Sequence, residues 1–299
     1  FASHRLLTSQ EAEALLAARA RPHGEPVTRF SGGEDAGGYR ATIARLHDYI
    51  LAGDIYQANF TFPLRFPWSG DPWSLYARLA PNQRVAYGAV VDLPDCRLAC
   101  LSPELFFRKQ GDLIEARPMK GTIRRGATPS EDAELAETLR RDPKSRAENL
   151  MILDLIRNDI GRLAAIGSVA VPRAFEIETF QTLHQMTSTV TGRIDPDLSL
   201  LAVLQHLFPC GSVTGAPKIR AMEIIAELER EPRGFYTGAL GYVTPQREMC
   251  FNVPIRTIEL EGRGRARMGV GSGIVFDSVA EDEYAECLLK ARFLEMGMA

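Results

Sequence analysis

The chain has 299 residues, 45% of them hydrophobic and 24% charged, with a net charge of −3, the profile of a soluble globular protein with ample apolar content for a core. The near-neutral balance gives no basic footprint for nucleic acid, and no apolar run reaches the roughly 18 residues that would make a membrane span. Five scattered cysteines without a CxxC pair fit a reducing cytoplasm, and five histidines without HExxH spacing exclude a histidine-built metal site.

Phe1 is not a start methionine and no leader pattern follows it, so the sequence reads as processed or as a fragment. A short helix is predicted within 1–21, followed by a Gly/Pro/Ser-rich connector to Gly38. The next stretch reads as a helix stopped at Gly53 and a strand around Tyr56 to Phe62. RVAYGAVVDL, CRLACLS and LFFRKQGDLIEARP follow as antiparallel hairpin strands, with Cys96 and Cys100 in a buried strand rather than on zinc. Helices dominate 130–165, 198–208 and 216–229. Strands return at TGALGYVT, MCFNVPIRTIEL and RARMGVGSGIV, and a last helix covers 280–296. Strands at both ends with helices between them predict a mixed, largely antiparallel α+β architecture.

Several residues on this frame carry possible chemistry. In the last helix Glu283, Glu286 and Lys290 share a face, which by spacing alone favours a solvated, ion-paired surface. Just upstream, Gly269, Gly271 and Gly273 alternate along a strand, where glycines admit a ligand or another backbone closely. Glu148 lies on a mostly apolar helical stripe. Facing Glu286 across a pocket, it would complete an oxygen-only site suited to Mg²⁺. Asp154, Arg157, Asn158 and Asp159 read as a structural polar network. In CGSVTGAPKIR, Ser212 or Thr214 can cap a helix whose N-terminus, with Lys218, would favour an anion; a plain capped helix is an equal reading.

Glu104, in SPELFFR, has an apolar neighbourhood that would raise its pKa and suit it to proton transfer. Lys120, in ARPMKGTIRRG, sits in a Pro/Gly-bounded turn. Such a lysine becomes a nucleophile only when desolvation or neighbouring positive charge lowers its pKa.

The ordered motifs PMKGT, SPELFF, ENLMILDLIRND, LHQMTSTV, FPCGSVTGAPKIRAMEII, FYTGALGY, IRT, GSGIV and ECLLKA resemble the chorismate-utilising enzymes from about Tyr39 to the C-terminus. The resemblance implies the two-sheet α/β sandwich of the chorismate-binding fold with surrounding helices. It divides the chain into a remnant N-terminal segment at 1–38 and a catalytic domain at 39–299. Family members carry a longer segment before the equivalent of Tyr39, which places any regulatory tryptophan pocket in doubt, and Cys210 stands where many have glycine.

The lysine form of PMKGT resembles the aminodeoxychorismate synthase branch, whereas anthranilate synthases carry alanine there. That branch implies that Lys120 attacks C2 of chorismate while Glu104 protonates the departing C4 hydroxyl, and that ammonia then adds at C4. By the same resemblance Glu148 and Glu286 bind Mg²⁺, with Glu283 a ligand or a supporting partner. Tyr236, Arg256 and the backbone at Gly271 and Gly273 hold the enolpyruvyl carboxylate. His184 lies near the C4 hydroxyl, Thr214 contacts substrate, and Lys290 orients the glutamates or meets a carboxylate. Ammonia is expected from a separate glutamine amidotransferase subunit. Anthranilate, isochorismate or salicylate synthase activity and a non-catalytic chorismate-binding module are the alternatives.

Overall fold

A computed structural model describes residues 7–21, 30, 33–83, 85–180 and 183–296. The expected connector between Arg21 and Gly38 lies largely outside them. Two N-terminal helices, α1 (Ser9–Arg19) and α2 (Ala36–Leu51), precede β1 (Gln57–Pro67), α3 (Pro72–Leu79) and the strands β2 (Tyr87–Leu93), β3 (Cys96–Ser102), β4 (Leu105–Gln110), β5 (Leu113–Arg117) and β6 (Met119–Arg124). The helices α4 (Pro129–Arg141) and α5 (Pro143–Gly161) come next, then β7 (Ala170–Thr179), β8 (Leu183–Arg193), α6 (Leu200–Leu207), a 3-10 turn (Gly211–Val213), β9 (Gly215–Ala216) and α7 (Lys218–Leu228). The chain closes with β10 (Leu240–Val243), β11 (Met249–Asn252), β12 (Thr257–Gly262), β13 (Arg265–Ile274), α8 (Ala280–Ala291) and α9 (Phe293–Met296).

The strands form two sheets. The first has six strands in the order β2-β3-β12-β13-β1-β9, every neighbour antiparallel. The second has seven, β10-β11-β4-β5-β8-β6, with β7 on the other edge of β8, again antiparallel throughout. Each sheet has its own helix-covered core. Tyr39, Ile43, Phe60, Leu75, Ile224 and Cys287 pack on the first, and Phe107, Ile114, Ile152, Ile156, Val190 and Val203 on the second. This is the predicted α+β architecture, in which two buried apolar faces supply the main driving force.

The stretch MCFNVPIRTIEL, which reads as one run, divides between the sheets. β11 belongs to the second and β12 to the first, with Val253–Arg256 crossing between them. The crossing is held by Ser102 Oγ donating to Val253 O at 2.6 Å and Leu101 N donating to Arg256 O at 3.1 Å. Asn252 Nδ2 adds a bond to Tyr87 O at 2.6 Å. α5 starts at Asp142, whose carboxylate accepts from Ser145 N at 2.7 Å while Pro143 takes the first turn. That start aims the first turns of α5 at β6.

Candidate active site

The site gathers where the sheet crossing, the 3-10 turn and the β6 strand meet. Glu104 follows Pro103 at the break between β3 and β4, and its backbone is pinned by Val253 N donating to Glu104 O at 3.1 Å. Only 3% of the residue is exposed. Burial pushes its carboxyl up to about 7, although a hydrogen bond from Ser212 and the charge of Lys120 pull the other way. Ser212 Oγ donates to Glu104 Oε1 at 2.6 Å. A carboxyl poised near neutrality can both give and take a proton.

Ser212, rather than Thr214, is the side chain this loop turns toward Glu104. The Thr214 hydroxyl is spent on the carbonyls of Cys210 and Gly211, at 3.1 and 3.3 Å. The N-cap of α7 is Pro217 with no side-chain cap, so neither hydroxyl serves the capping role read from the sequence. Lys218 is no free cation for an anion either. Its ammonium donates to Asp159 on α5 and to Pro209 O and Leu207 O, at 2.9 and 3.3 Å for the carbonyls. Asp154 and Arg157 pair on the surface, while Asp159 turns inward to clamp the loop that carries Ser212.

Lys120 stands on a strand, not in a turn. β6 pairs with β8 through an irregularity between Met119 and Thr122, and Gly121 in it has φ +86°. A Cβ at Gly121 would come within 2.8 Å of the Ser145 Cβ on α5, so a side chain there would collide with the helix. Burial lowers the Lys120 pKa; Glu148, Glu104 and Glu286 oppose the fall and Lys290 adds to it. Those influences place Lys120 amid the carboxylates of three separate elements. The glycine at 273 belongs to the same geometry, because a Cβ there would lie 2.9 Å from Lys120 Nζ. Gly271 is tied to the neighbouring strand instead: its Cβ would meet Phe60 O at 2.5 Å.

The acidic residues come from two helices. Burial raises the Glu148 carboxyl, Lys120 and Lys144 draw it down, and Glu283 and Glu286 push it further up. For Glu286, burial raises the carboxyl, but Lys290, whose Nζ lies 2.8 Å from Glu286 Oε1, together with Lys120 and Lys144 brings it below its usual value. Lys290 also donates to Gly271 O at 2.7 Å. Glu283 accepts from Ser278 Oγ at 2.7 Å. Among the described residues no three His, Cys, Asp or Glu side chains are grouped closely enough to bind a metal by themselves. Glu148 and Glu286 offer hard oxygen donors of the kind Mg²⁺ takes in pairs, with other oxygens filling the shell. Their mutual repulsion is what a cation between them would relieve.

Arg256 sits in the sheet crossing with φ 49°. Burial alone pushes its guanidinium down to about 10, and Nη1 has no hydrogen-bond partner. A half-buried guanidinium whose Nη1 is buried and unpartnered suits an incoming anion. Tyr236 lies against Gly269, where a Cβ would be 2.2 Å from the ring. Burial raises its phenol, with Arg233 opposing. A cavity beside Tyr236 is lined by Glu34, Arg230, Arg233, Glu259 and Arg267, but these are paired as Arg230–Glu34, Arg233–Glu229 and Arg267–Glu259.

His184 is turned elsewhere. Its Nε2 meets Asp132 Oδ1 and its Nδ1 meets Thr179 Oγ1, each at 2.9 Å, which ties the ring to α4 and β7. Both nitrogens are thereby engaged. Ser212 and Gln57 are the polar groups at the site whose place sequence reasoning missed. The first was read only as a cap, and the second is a single amide in IYQANF with no local signature.

The family profile described as chorismate binding enzyme matches residues 2–296. The chain is 39% identical over 254 residues to aminodeoxychorismate synthase component 1 of Bacillus subtilis (strain 168), covering 85% of this chain and 54% of that one. It is 41% identical over 266 residues to anthranilate synthase component 1 of Thermus thermophilus, covering 89% and 57%. The crystal structure of anthranilate synthase component I from Streptococcus pneumoniae TIGR4 superposes with a TM-score of 0.81 at 32% identity, over 96% of this chain and 67% of that one. The chain spans a little over half the length of these two curated relatives.

Proposed function

The chain belongs to the chorismate binding enzymes, and we propose that it aminates chorismate at C4 to give 4-amino-4-deoxychorismate on the way to 4-aminobenzoate. The observation that carries this reading is Lys120. It is a lysine with a lowered pKa, placed between a near-neutral carboxyl at Glu104 and the carboxylates of Glu148 and Glu286. A lysine so desolvated spends more time as the free amine and gains nucleophilicity.

In the proposed sequence Lys120 Nζ forms a bond to C2 as both ring double bonds shift, C1=C2 to C1=C6 and C5=C6 to C4=C5, and the C4–O bond breaks. Glu104 supplies the proton with which the hydroxyl leaves as water. Ammonia then adds at C4, both double bonds return to C1=C2 and C5=C6, and the C2–N bond breaks to release Lys120 as the amine. The Glu104 carboxylate takes up the proton that the incoming ammonia sheds. Ser212 fixes the orientation of Glu104 through both proton transfers. Arg256 and Tyr236 hold the enolpyruvyl carboxylate. His184 and Thr214, engaged by protein groups of their own, support walls of the site.

The donor set suits Mg²⁺, which Glu148 and Glu286 would hold, with Glu283 steadied by Ser278 as a supporting carboxylate. When bound, the ion would neutralise the ring carboxylate and stabilise developing charge. Lys290 keeps Glu286 ionised for that purpose. Ammonia would come from a glutamine amidotransferase subunit, in keeping with the component 1 naming of relatives. The place of action would be the cytoplasm, in keeping with five free cysteines; no described helix is long and apolar enough to cross a membrane.

Anthranilate formation is the second reading, favoured by the comparable identity to the Thermus thermophilus relative. Incubating the chain with chorismate, Mg²⁺ and ammonium and following products by mass spectrometry separates the two. 4-Amino-4-deoxychorismate is expected; anthranilate or isochorismate would overturn the assignment.

A further inference from the structure

The segment between α7 and β10 carries a guanidinium that reaches four separate partners. Arg233 Nη1 donates to Val213 O at 2.7 Å, one residue past Ser212, and to Thr237 Oγ1 at 3.3 Å, one residue past Tyr236. Its Nη2 donates to Asn59 O of β1 and to Glu229 Oε1, each at 2.7 Å, and its Nε meets the Glu229 oxygens at 3.1 and 2.9 Å. Glu229 in turn accepts from Thr61 N and Thr61 Oγ1, at 2.9 and 2.8 Å, which fixes the pair to β1. The two side chains are 16% and 7% exposed. A buried ion pair by itself adds little stability over apolar side chains of the same size. Here the fork is spent on two stretches of backbone, each next to a residue of the site. Thr237 has φ 61°, an outlier for a β-branched residue, and its N–H donates to Pro254 O of the sheet crossing at 3.2 Å. Such strain persists only where surrounding bonds impose it, and the Arg233 bond to Thr237 Oγ1 is one of them.

We propose that Arg233, steadied by Glu229, is a positioning residue that sets Ser212 against Glu104 and Tyr236 against the substrate carboxylate from one anchor on β1. The inference rests on the chorismate reading above. Arg233 acts through the main chain: Val213 O fixes the turn that carries Ser212, and Thr237 fixes the turn that carries Tyr236. A lysine, with three donors on a flexible stem, cannot serve four partners in set directions as the planar fork does. Proton transfer at one end of the site and carboxylate binding at the other therefore share one support.

The test uses Arg233→Lys, Glu229→Gln, Ser212→Ala and the double variant Arg233→Lys with Ser212→Ala, each in the full 299-residue chain. All are assayed with chorismate, Mg²⁺ and ammonium at a temperature where circular dichroism shows them folded. Arg233→Lys should raise KM for chorismate and lower kcat, each by roughly 10–100-fold. It should also move the Glu104 limb of the pH–rate profile in the direction that Ser212→Ala moves it. On the Ser212→Ala background the lysine should raise KM by the same factor but leave kcat and the limb where Ser212→Ala puts them, because that arm of the effect passes through Ser212. Glu229→Gln keeps an oxygen for Thr61 but loosens the grip on Arg233, and should shift KM, kcat and the limb the same way by less. A lowered melting temperature with unchanged KM, kcat and limb would make the pair structural and overturn the proposal. Loss of folding in both single variants of the pair would overturn it too, as would a kcat effect of the lysine that adds in full to that of Ser212→Ala. If the wild type forms anthranilate, the C4 reading falls while the same constants still decide Arg233. If it turns over no chorismate, both fall.

Discussion

Ser212 Oγ donates a 2.6 Å hydrogen bond to the carboxyl of Glu104, joining the 3-10 turn ahead of α7 to the break between β3 and β4. The pair sets the protonation behaviour of the site. Burial lifts Glu104 from 4.5 to about 7 and the Ser212 bond restrains the rise. Ser212→Ala should therefore move the Glu104 limb of the pH–rate profile to higher pH, with kcat reduced about tenfold by lost orientation. A limb that stays in place or moves to lower pH would separate Ser212 from the proton transfer.

Glu104 also ties stability to pH. Its folded pKa lies above its unfolded value, so its favourable contribution is complete below pH 4.5 and disappears as pH rises through about 7. Relative to Glu104→Gln, the wild-type chain should lose about 3 kcal/mol of unfolding free energy across that window. Urea titrations of both proteins at pH 5 and pH 8 measure the difference. The glutamine variant should meanwhile lose roughly 10²–10⁴-fold in kcat.

Lys120→Ala removes the proposed nucleophile. Formation of 4-amino-4-deoxychorismate should fall by at least roughly two orders of magnitude, and some amination at C2 should emerge as the space beside Gly273 opens. Product ratios by mass spectrometry decide the point. Full activity in the variant would show that the amine is not needed.

Glu286→Gln keeps the shape of α8 but withdraws one charged oxygen donor and leaves Lys290 bonded to Gly271 O. The Mg²⁺ concentration for half-maximal activity should rise at least about tenfold, in step with a fall in kcat. An unchanged Mg²⁺ titration would remove Glu286 from the metal site. Glu148→Gln should behave alike.

Lys218→Met breaks the buried contact with Asp159, whose side chains are 15% and 7% exposed. Leaving Asp159 without its cation should cost about 3–5 kcal/mol in guanidinium unfolding. Lys218→Met with Asp159→Leu should recover most of that loss. A single variant within about 0.5 kcal/mol of wild type, the range of an ordinary surface substitution, would mean that the clamp on the Ser212 loop is unimportant.

Much of this was legible in the sequence. The apolar runs of β1, β3 and β4 and the helical faces of α7 and α8 carry the period of the element they form. Glu104 was found because LFF follows it, and burial is what raises its pKa. Other features depend on neighbours distant in the chain. β7 escaped because it is an edge strand carrying Pro172, with Phe175 at φ 56° and irregular pairing to β8, so it shows no clean alternation. Lys120 reads as a turn residue because Pro118 and Gly121 flank it, yet pairing with β8 makes the segment a strand. His184 followed the motif, but alternation along β8 faces it to Asp132, and no one-dimensional pattern records which side of a sheet meets the reacting atoms. Gln57 is one amide in an apolar run, and its lack of partners exists only after β9 and β13 have closed on it.

The crossing at Val253–Arg256 has a further consequence for how activity arises during folding. Arg256 and Gly273 attach to one sheet and Lys120 to the other, so neither half alone can assemble a competent set. A refolding chain should regain helical signal and apolar burial before it shows the proposed activity, because the site needs contacts between residues distant in the chain from both sheets. Enzymatic recovery would then time the docking of the two halves, and a nick in a surface loop far from the site would silence the enzyme only if it lets those halves drift apart.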